Sequence, residues 1–458
     1  MNLKQICLSA IAILGLSAGG YCQENKDILK LSVTEAQSYA LQNNRSVKSS
    51  RIDIEAANKK VWENLAAGFP QLNVVANYQH QFVIPEINFG PYLDVNALPD
   101  AGALTKNDIQ NAFVNSPPIP LGVKNNTIID ITLSQLIFSG QYFVGLQAVK
   151  VLKQSIEKSL VKNENQTKES VANTYYLVLV LTENEKVLNE SLKAIEQTYN
   201  EMVKMNEQGL NEETDVDQIK ISRSNILALI ASIESQREIS IKLLKYQLGI
   251  GFEKALELTD SLPGIMIQAN LQYLTSPQFN VKNSIDYQLI STQERISALL
   301  LKLEKSKYLP TITSFYRHEE QTNQPAFNFL VKDFVGVSLN LPIISSGQRS
   351  SKISQARFDL EKTRLNKENT EQALIMEFES ALNSYQTAYS NFITNRESMI
   401  LSKKVYDKTV IKYREGVSSS FELTQNQNQY LMAESNYYNS VLSLLNAKAK
   451  LDRILTAS

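Results

Sequence analysis

Ser139-Gly140 opens a stretch that closes 69 residues later on Gly209, within Met205-Asn206-Glu207-Gln208-Gly209-Leu210. Ser346-Gly347 opens another that closes 69 residues later on Gly416, within Lys412-Tyr413-Arg414-Glu415-Gly416-Val417. A single offset of 207 positions carries the first onto the second. Neither stretch contains proline, and apart from Gly145 near one end no glycine interrupts them. Each therefore reads as one helix, 140–205 and 347–414, about 100 Å long at 1.5 Å per residue. An ordinary globular domain has no room for two such rods, so the rest of the chain is read by what it adds at their ends.

Beyond Gly209 a return helix is expected over 211–248, with Ile219, Ile226, Ile230 and Ile233 on one seam. Beyond Gly416 its counterpart runs over 420–456. Leu181, Leu188, Leu192, Ile195, Tyr199 and Met202 form a heptad seam on the first rod. Before each rod the pattern changes to alternation, which Val75 alone interrupts in the first strand, with strands expected at about 71–83, 127–138, 311–320 and 333–344. In Thr127–Phe138, Ile129, Ile131 and Leu133 oppose Asp130, Thr132 and Ser134, and in Asp333–Leu341, Val335, Val337, Leu339 and Leu341 oppose Phe334, Gly336, Ser338 and Asn340. A helix over 31–67 ends at Gly68-Phe69-Pro70, and a helix over 281–308 ends at Leu309-Pro310. The chain is thus a tandem duplication of helix, strand, strand, long helix and return helix, with repeats at 23–250 and 281–458 and a linker at 251–280. Six of the chain's 12 prolines fall in 83–126, which reads as one long loop.

Residues 1–22 carry Lys4, an apolar run and then small residues, the layout of a secretory signal. Tyr21 before Cys22 argues against a lipoprotein cleavage site, and cleavage before Gln23 would leave an exported chain without cysteine. Formal net charge is −1 with no basic block, so nucleic acid is not indicated as a partner. No later segment has the 18 or more apolar residues of a membrane helix; a membrane-spanning form of this chain has to use strands. Four strands cannot close, since the smallest bacterial barrels need eight, and lipid tolerates no open sheet edge. Further copies of the chain would have to complete the barrel. The competing reading is a soluble four-stranded sheet packed on helices, or a secreted coiled-coil scaffold that is no channel.

No phosphate loop, nucleophile elbow or metal cluster is legible, so neither an enzyme nor a cofactor is expected. His80 and His318, the only histidines, fall on predicted strands. Trp62, Tyr78, Phe82, Phe89 and Tyr92 suit an aromatic belt, although for Trp62 helix packing is the favoured reading.

The duplicated order, the matched helix-Pro-strand junctions, the Ser-Gly starts of the long helices and the glycine turns resemble the TolC family of outer-membrane efflux proteins. The resemblance covers about Leu31 to Leu455. It implies a membrane α+β fold: a homotrimer giving four strands per chain to one transmembrane β-barrel, continued by a long periplasmic α-helical barrel. It implies an outer-membrane location, embedded in lipid and extending into the periplasm, with a periplasmic adaptor and an inner-membrane transporter as partners. The function it implies is the outlet of a tripartite efflux pump for small toxic compounds, or a type I protein secretion outlet of the same fold. Gln208-Gly209-Leu210 and Glu415-Gly416-Val417 match the family's adaptor-docking turns. Glu422 and Gln425 stand six and nine residues past Gly416, where the family carries acidic rings that narrow the periplasmic entrance, and Asp215 stands six past Gly209. Helix capping competes with both assignments, because Ser419 and Glu422 have capping-box spacing and Asp215 lies in a first helical turn.

Overall fold

The computed structural model describes residues 28–87, 105–114, 117–269, 278–324, 328 and 331–456. The expected signal at 1–22 and the belt residues Phe89 and Tyr92 lie outside these residues. In chain order the first half has β1 (Leu29–Leu31), α1 (Val33–Asn43), α2 (Arg45–Ala66), β2 (Gln71–His80), β3 (Glu86–Ile87), α3 (Lys106–Val114), β4 (Ile119–Pro120), β5 (Asn125–Ser139), α4 (Gly140–Glu207) and α5 (Glu213–Leu248). Then come β6 (Leu256–Leu258), α6 (Leu262–Ala269), a 3₁₀ turn at Val281–Asn283, α7 (Ile285–Ser306), β7 (Thr311–Gln321), β8 (Asp333–Asn340), α8 (Gln348–Arg414) and α9 (Ser420–Leu455). No described helix is long and apolar enough to cross a membrane.

The chain divides into two compact units. The first, the strand unit, holds the described parts of Ser46–Asn165 and Pro277–Ala381. Its sheet has the order β2-β5-β7-β8, antiparallel throughout, with Leu72 opposite Leu133, Ile131 opposite His318 and Tyr316 opposite Val335. A register shift between Leu136 and Phe138 bends β5 where it runs into α4. There the helix begins on Gly140 because a side chain would not fit: a Cβ would stand 2.5 Å from Leu309 Cδ1 and 3.2 Å from the Ser306 carbonyl. The equivalent Gly347 has open space around it and is needed for another reason, a left-handed φ of +83°.

The second unit, the helical unit, holds the described parts of Met1–Arg45, Gln166–Ser276 and Leu382–Arg453. The heptad seam of α4 and the isoleucine seam of α5 meet in one cluster, in which Leu188, Ile195, Met202, Ile219, Ile226 and Ile230 are buried with Tyr406, Leu423 and Tyr430. Leu192, Tyr199 and Ile233 pack against it. Salt bridges Arg223–Glu196 at 2.9 Å and Arg237–Glu185 at 2.6 Å flank the α4–α5 pair.

Three sequence expectations are corrected. The helix expected over 31–67 is a short strand and two helices broken at Asn44. β1 pairs in parallel with β6, and the buried Tyr175 donates its hydroxyl to the Leu31 carbonyl at 2.9 Å. The break at Asn44 is held from a distance, its side-chain amide donating to the Gln247 carbonyl at 2.7 Å. The segment expected as a linker over 251–280 accordingly contains β6 and α6. The long loop over 83–126 contains a small β3–β4 ladder and α3, which begins where Thr105 and Asp108 cap each other. Pro120 is tolerated because its strand is a two-residue edge.

The buried face of α9 is not wholly apolar. Glu434 is 2% exposed, and its Oε2 accepts no hydrogen bond from a described residue. Burial pushes its carboxyl up from 4.5 to about 7, with Lys403 opposing the shift and Glu190 adding to it. An acid held higher in the fold than in the unfolded chain binds its proton more tightly when folded, so it weakens the fold as pH rises from 4.5 through about 7. Glu434→Gln is therefore expected to raise the melting temperature at about pH 8 and leave it nearly unchanged at about pH 4. Equal shifts at both values would show that only packing changed.

Candidate functional site

Alternation in four paired strands gives the sheet two chemically different faces. On one, Leu72, Val74, Val337 and Leu339 are 58–72% exposed and Ile129, Ile131 and Leu133 continue the surface. On the other, Asn73 lies opposite Thr132, Ser338 opposite Thr313 and Asn340 opposite Thr311. Val75, which breaks the alternation in sequence, falls on this polar face opposite Asp130. A large apolar surface left open on a sheet, backed by a polar one, is the reverse of a soluble sheet packed on a core.

Polar groups on the apolar face cluster toward one end. His80 Nδ1 lies 2.6 Å from Asn125 Oδ1, which also accepts from the Tyr78 hydroxyl at 3.1 Å. His318 Nδ1 lies 2.7 Å from Asp333 Oδ1, and the Tyr316 hydroxyl donates to the same oxygen at 2.6 Å. Among the described residues no group of three or more His, Cys, Asp and Glu could hold a metal ion. Trp62, expected inside a helix interface, is 59% exposed and meets Phe69 edge-on at 6.0 Å.

The two glycine turns are built alike. After α4, Gly209 has φ +71°, its N–H donates to Asn206 O at 2.8 Å, and Leu210 N–H donates to Met205 O at 2.9 Å. After α8, Gly416 has φ +71°, donating to Tyr413 O at 3.0 Å, and Val417 N–H donates to Lys412 O at 2.9 Å. This pair of bonds is a Schellman cap, and it satisfies the last carbonyls of each long helix. The apolar residue that follows such a glycine commonly packs back on its helix. Here Leu210 and Val417 are instead 67% and 75% exposed, and a Cβ on either glycine would meet nothing within 4 Å. Gln208 and Glu415 are exposed beside them.

The turns are neighbours. Arg414 on α8 pairs with Glu201 on α4 at 3.1 Å, and the Ser420 hydroxyl at the start of α9 donates to Asp215 Oδ1 on α5. Asp215 is half-buried, and its other oxygen accepts from the Glu212 N–H at 3.4 Å. Glu422 is exposed; its own N–H donates to Ser419 Oγ at 3.2 Å, while its carboxylate accepts from the Ser418 hydroxyl at 2.6 Å. Asp215 thus takes part in a reciprocal cap with Glu212, whereas at Glu422 only half of the expected capping box forms: Ser419 caps the Glu422 N–H, and the Glu422 carboxylate lies at the surface on Ser418. Gln425 is exposed one turn further along. The Ser420–Asp215 bond, which ties the two repeats together, had no signal in sequence, because the serine and the acid are each ordinary first-turn residues.

Residues 302–457, covering α8, α9 and both strands of the second repeat, match one family model. That family is the outer membrane efflux proteins. A search of curated protein sequences finds no match. Solved structures share the fold along nearly the whole chain. The outer membrane channel CmeC of Campylobacter jejuni matches with a TM-score of 0.71 at 16% identity, over 92% of this chain and 85% of that one. The outer membrane protein VceC of Vibrio cholerae matches with a TM-score of 0.69 at 14% identity, over 93% and 96%. The outer membrane channel MtrE of Neisseria gonorrhoeae, in its open state, matches with a TM-score of 0.71 at 13% identity, over 92% and 88%.

Proposed function

We propose that this chain is the outer-membrane channel of a tripartite efflux pump, acting as a homotrimer. The observation that carries the reading is the sheet: four strands with one exposed apolar face, one polar face and two edges, β2 and β8, each paired on one side only among the described residues. In lipid that sheet is unsatisfied as a single chain, and three copies would make one barrel of about twelve strands, within the size range of bacterial barrels. The fold shared with outer membrane channels and the efflux-protein match over 302–457 support an outer-membrane location with helices reaching into the periplasm. Small toxic compounds delivered by an inner-membrane transporter through a periplasmic adaptor are the proposed cargo route.

In this reading the tip turns Gln208-Gly209-Leu210 and Glu415-Gly416-Val417 dock the adaptor. The exposed Leu210 and Val417 are apolar surface that a partner hairpin would cover, and glycine holds the backbone open between them. Because Gly416→Ala meets no neighbour, its structural cost is the left-handed backbone alone, about 1–2 kcal/mol. Bulkier Gly416→Trp should abolish efflux in a deletion strain while trimer yield holds. Parallel loss of trimer and efflux would make the glycine a helix cap only.

Glu422 is the proposed entrance ring, with Asp215 contributing less because it is half-buried and engaged by Ser420. Gln425 adds no charge. Three exposed carboxylates in a narrow aqueous constriction favour cations. Purified protein in a planar bilayer is expected to conduct with cation preference, and Glu422→Gln to lower that preference more than Asp215→Asn does. No conductance would overturn the channel, and unchanged selectivity in a conducting Glu422→Gln variant would leave only the cap.

A further inference from the structure

Of all the described strand residues on the polar face of the β2-β5-β7-β8 sheet, only Asp130, Arg317 and Glu319 are charged. Asp130 comes from β5 and is far in sequence from Arg317 and Glu319 on β7, yet the register gathers them: Asp130 lies directly opposite Glu319, and Arg317 opposite Thr132. The Arg317 Nε donates to Asp130 Oδ1 at 2.7 Å, and its Nη2 reaches both Asp130 and Glu319, the latter at 3.2 Å. The guanidinium also stands over the Phe334 ring, 5.8 Å from its centroid, which fixes its plane from the β8 side.

A bridge that served only to join β5 to β7 would need one carboxylate. Two acids directly opposite each other on neighbouring strands repel, and that arrangement weakens a sheet unless a cation sits between them. Arg317 offsets one of the two charges. The other is left over, one negative charge per chain on a surface whose remaining strand residues are neutral.

We propose that Asp130, Arg317 and Glu319 form a charge-selective belt in the strand-built part of the channel, favouring cations and cationic solutes over anions independently of the acids at the helix turns. The inference rests on the channel reading above, in which the polar face lines the lumen. Threefold repetition then gives one surplus charge per chain around a single passage, and at about 0.1 M salt the screening length of about 10 Å leaves such charges effective across a constriction. Arg317 sets the strength of the belt and Glu319 supplies the surplus.

The test is the reversal potential of the full-length protein in a planar bilayer under a potassium chloride gradient, across a charge series. Arg317→Lys keeps one surplus negative charge, Glu319→Gln leaves none, Asp130→Asn with Glu319→Gln leaves one positive, and Arg317→Gln leaves two negative. The reversal potential is expected to hold in Arg317→Lys, to move toward zero in Glu319→Gln, to move further the same way in the double variant, and to move oppositely in Arg317→Gln. Should Arg317→Gln fail to assemble, the two neutralising variants still decide the matter. Conducting Glu319→Gln and double variants with the wild-type reversal potential would overturn the belt, and lowered thermal stability alongside would identify the triad as a strand clamp only. A wild-type protein that does not conduct would overturn the channel reading itself, which separates the two failures.

Discussion

Backbone hydrogen bonding at the edges of one sheet constrains everything else in this molecule. Among the described residues β2 and β8 each have a ladder partner on one side only, while the face they share is covered with leucine, valine and isoleucine left open to the surroundings. In water such edges would bond to solvent, and the apolar face would be the unsatisfied part. In hydrocarbon the apolar face is satisfied, and each unpaired backbone group costs several kcal/mol. A single chain cannot meet both demands at once. In the proposed assembly, copies of the same chain would meet both, the outer edge of β8 in one copy pairing with the outer edge of β2 in the next until rotation about one axis closes the ring.

The helices carry the same implication in weaker form. Within the strand unit, Phe358, Leu365 and Met376 on α8 are 57–69% exposed; within the helical unit, Ile221, Ile239 and Tyr246 on α5 are 59–65% exposed. Ile219, Ile226 and Ile230 of α5 are buried in the isoleucine and leucine cluster, so the outward residues of α5 are surplus to that packing. A second apolar stripe on α5 is surface that a further partner would cover.

Much of this was legible from periodicity and punctuation. The glycine offset between repeats, the prolines before β2 and β7, and the switch from helical to alternating pattern are local signals, and the long helices and four strands stand within a few residues of where those signals put them. What could not be read depended on contacts between residues distant in sequence. β1 and β6 are three residues each, too short to show a period, and exist because they pair with each other. The break at Asn44 is held by Gln247, and the bond between Ser420 and Asp215 joins the two repeats. Asp130 on β5 looks unrelated to Arg317 and Glu319 on β7, 187 and 189 positions later, until the register is known. Gly140 and Gly347 occupy equivalent places in the repeat for unlike reasons, one for close approach and one for a left-handed turn, and the sequence alone does not distinguish the two.

Cross-linking between the two sheet edges tests the central claim most directly. With cysteines placed in pairs, one along β2 and one along β8, and with Cys7 and Cys22 replaced by serine, oxidation of the protein in native membranes should join copies edge to edge. Denaturing gels are then expected to show one, two and three chains, with the ladder stopping at three for the best-matched pairs. A chain that stays monomeric across every pairing, while remaining folded, would contradict the account.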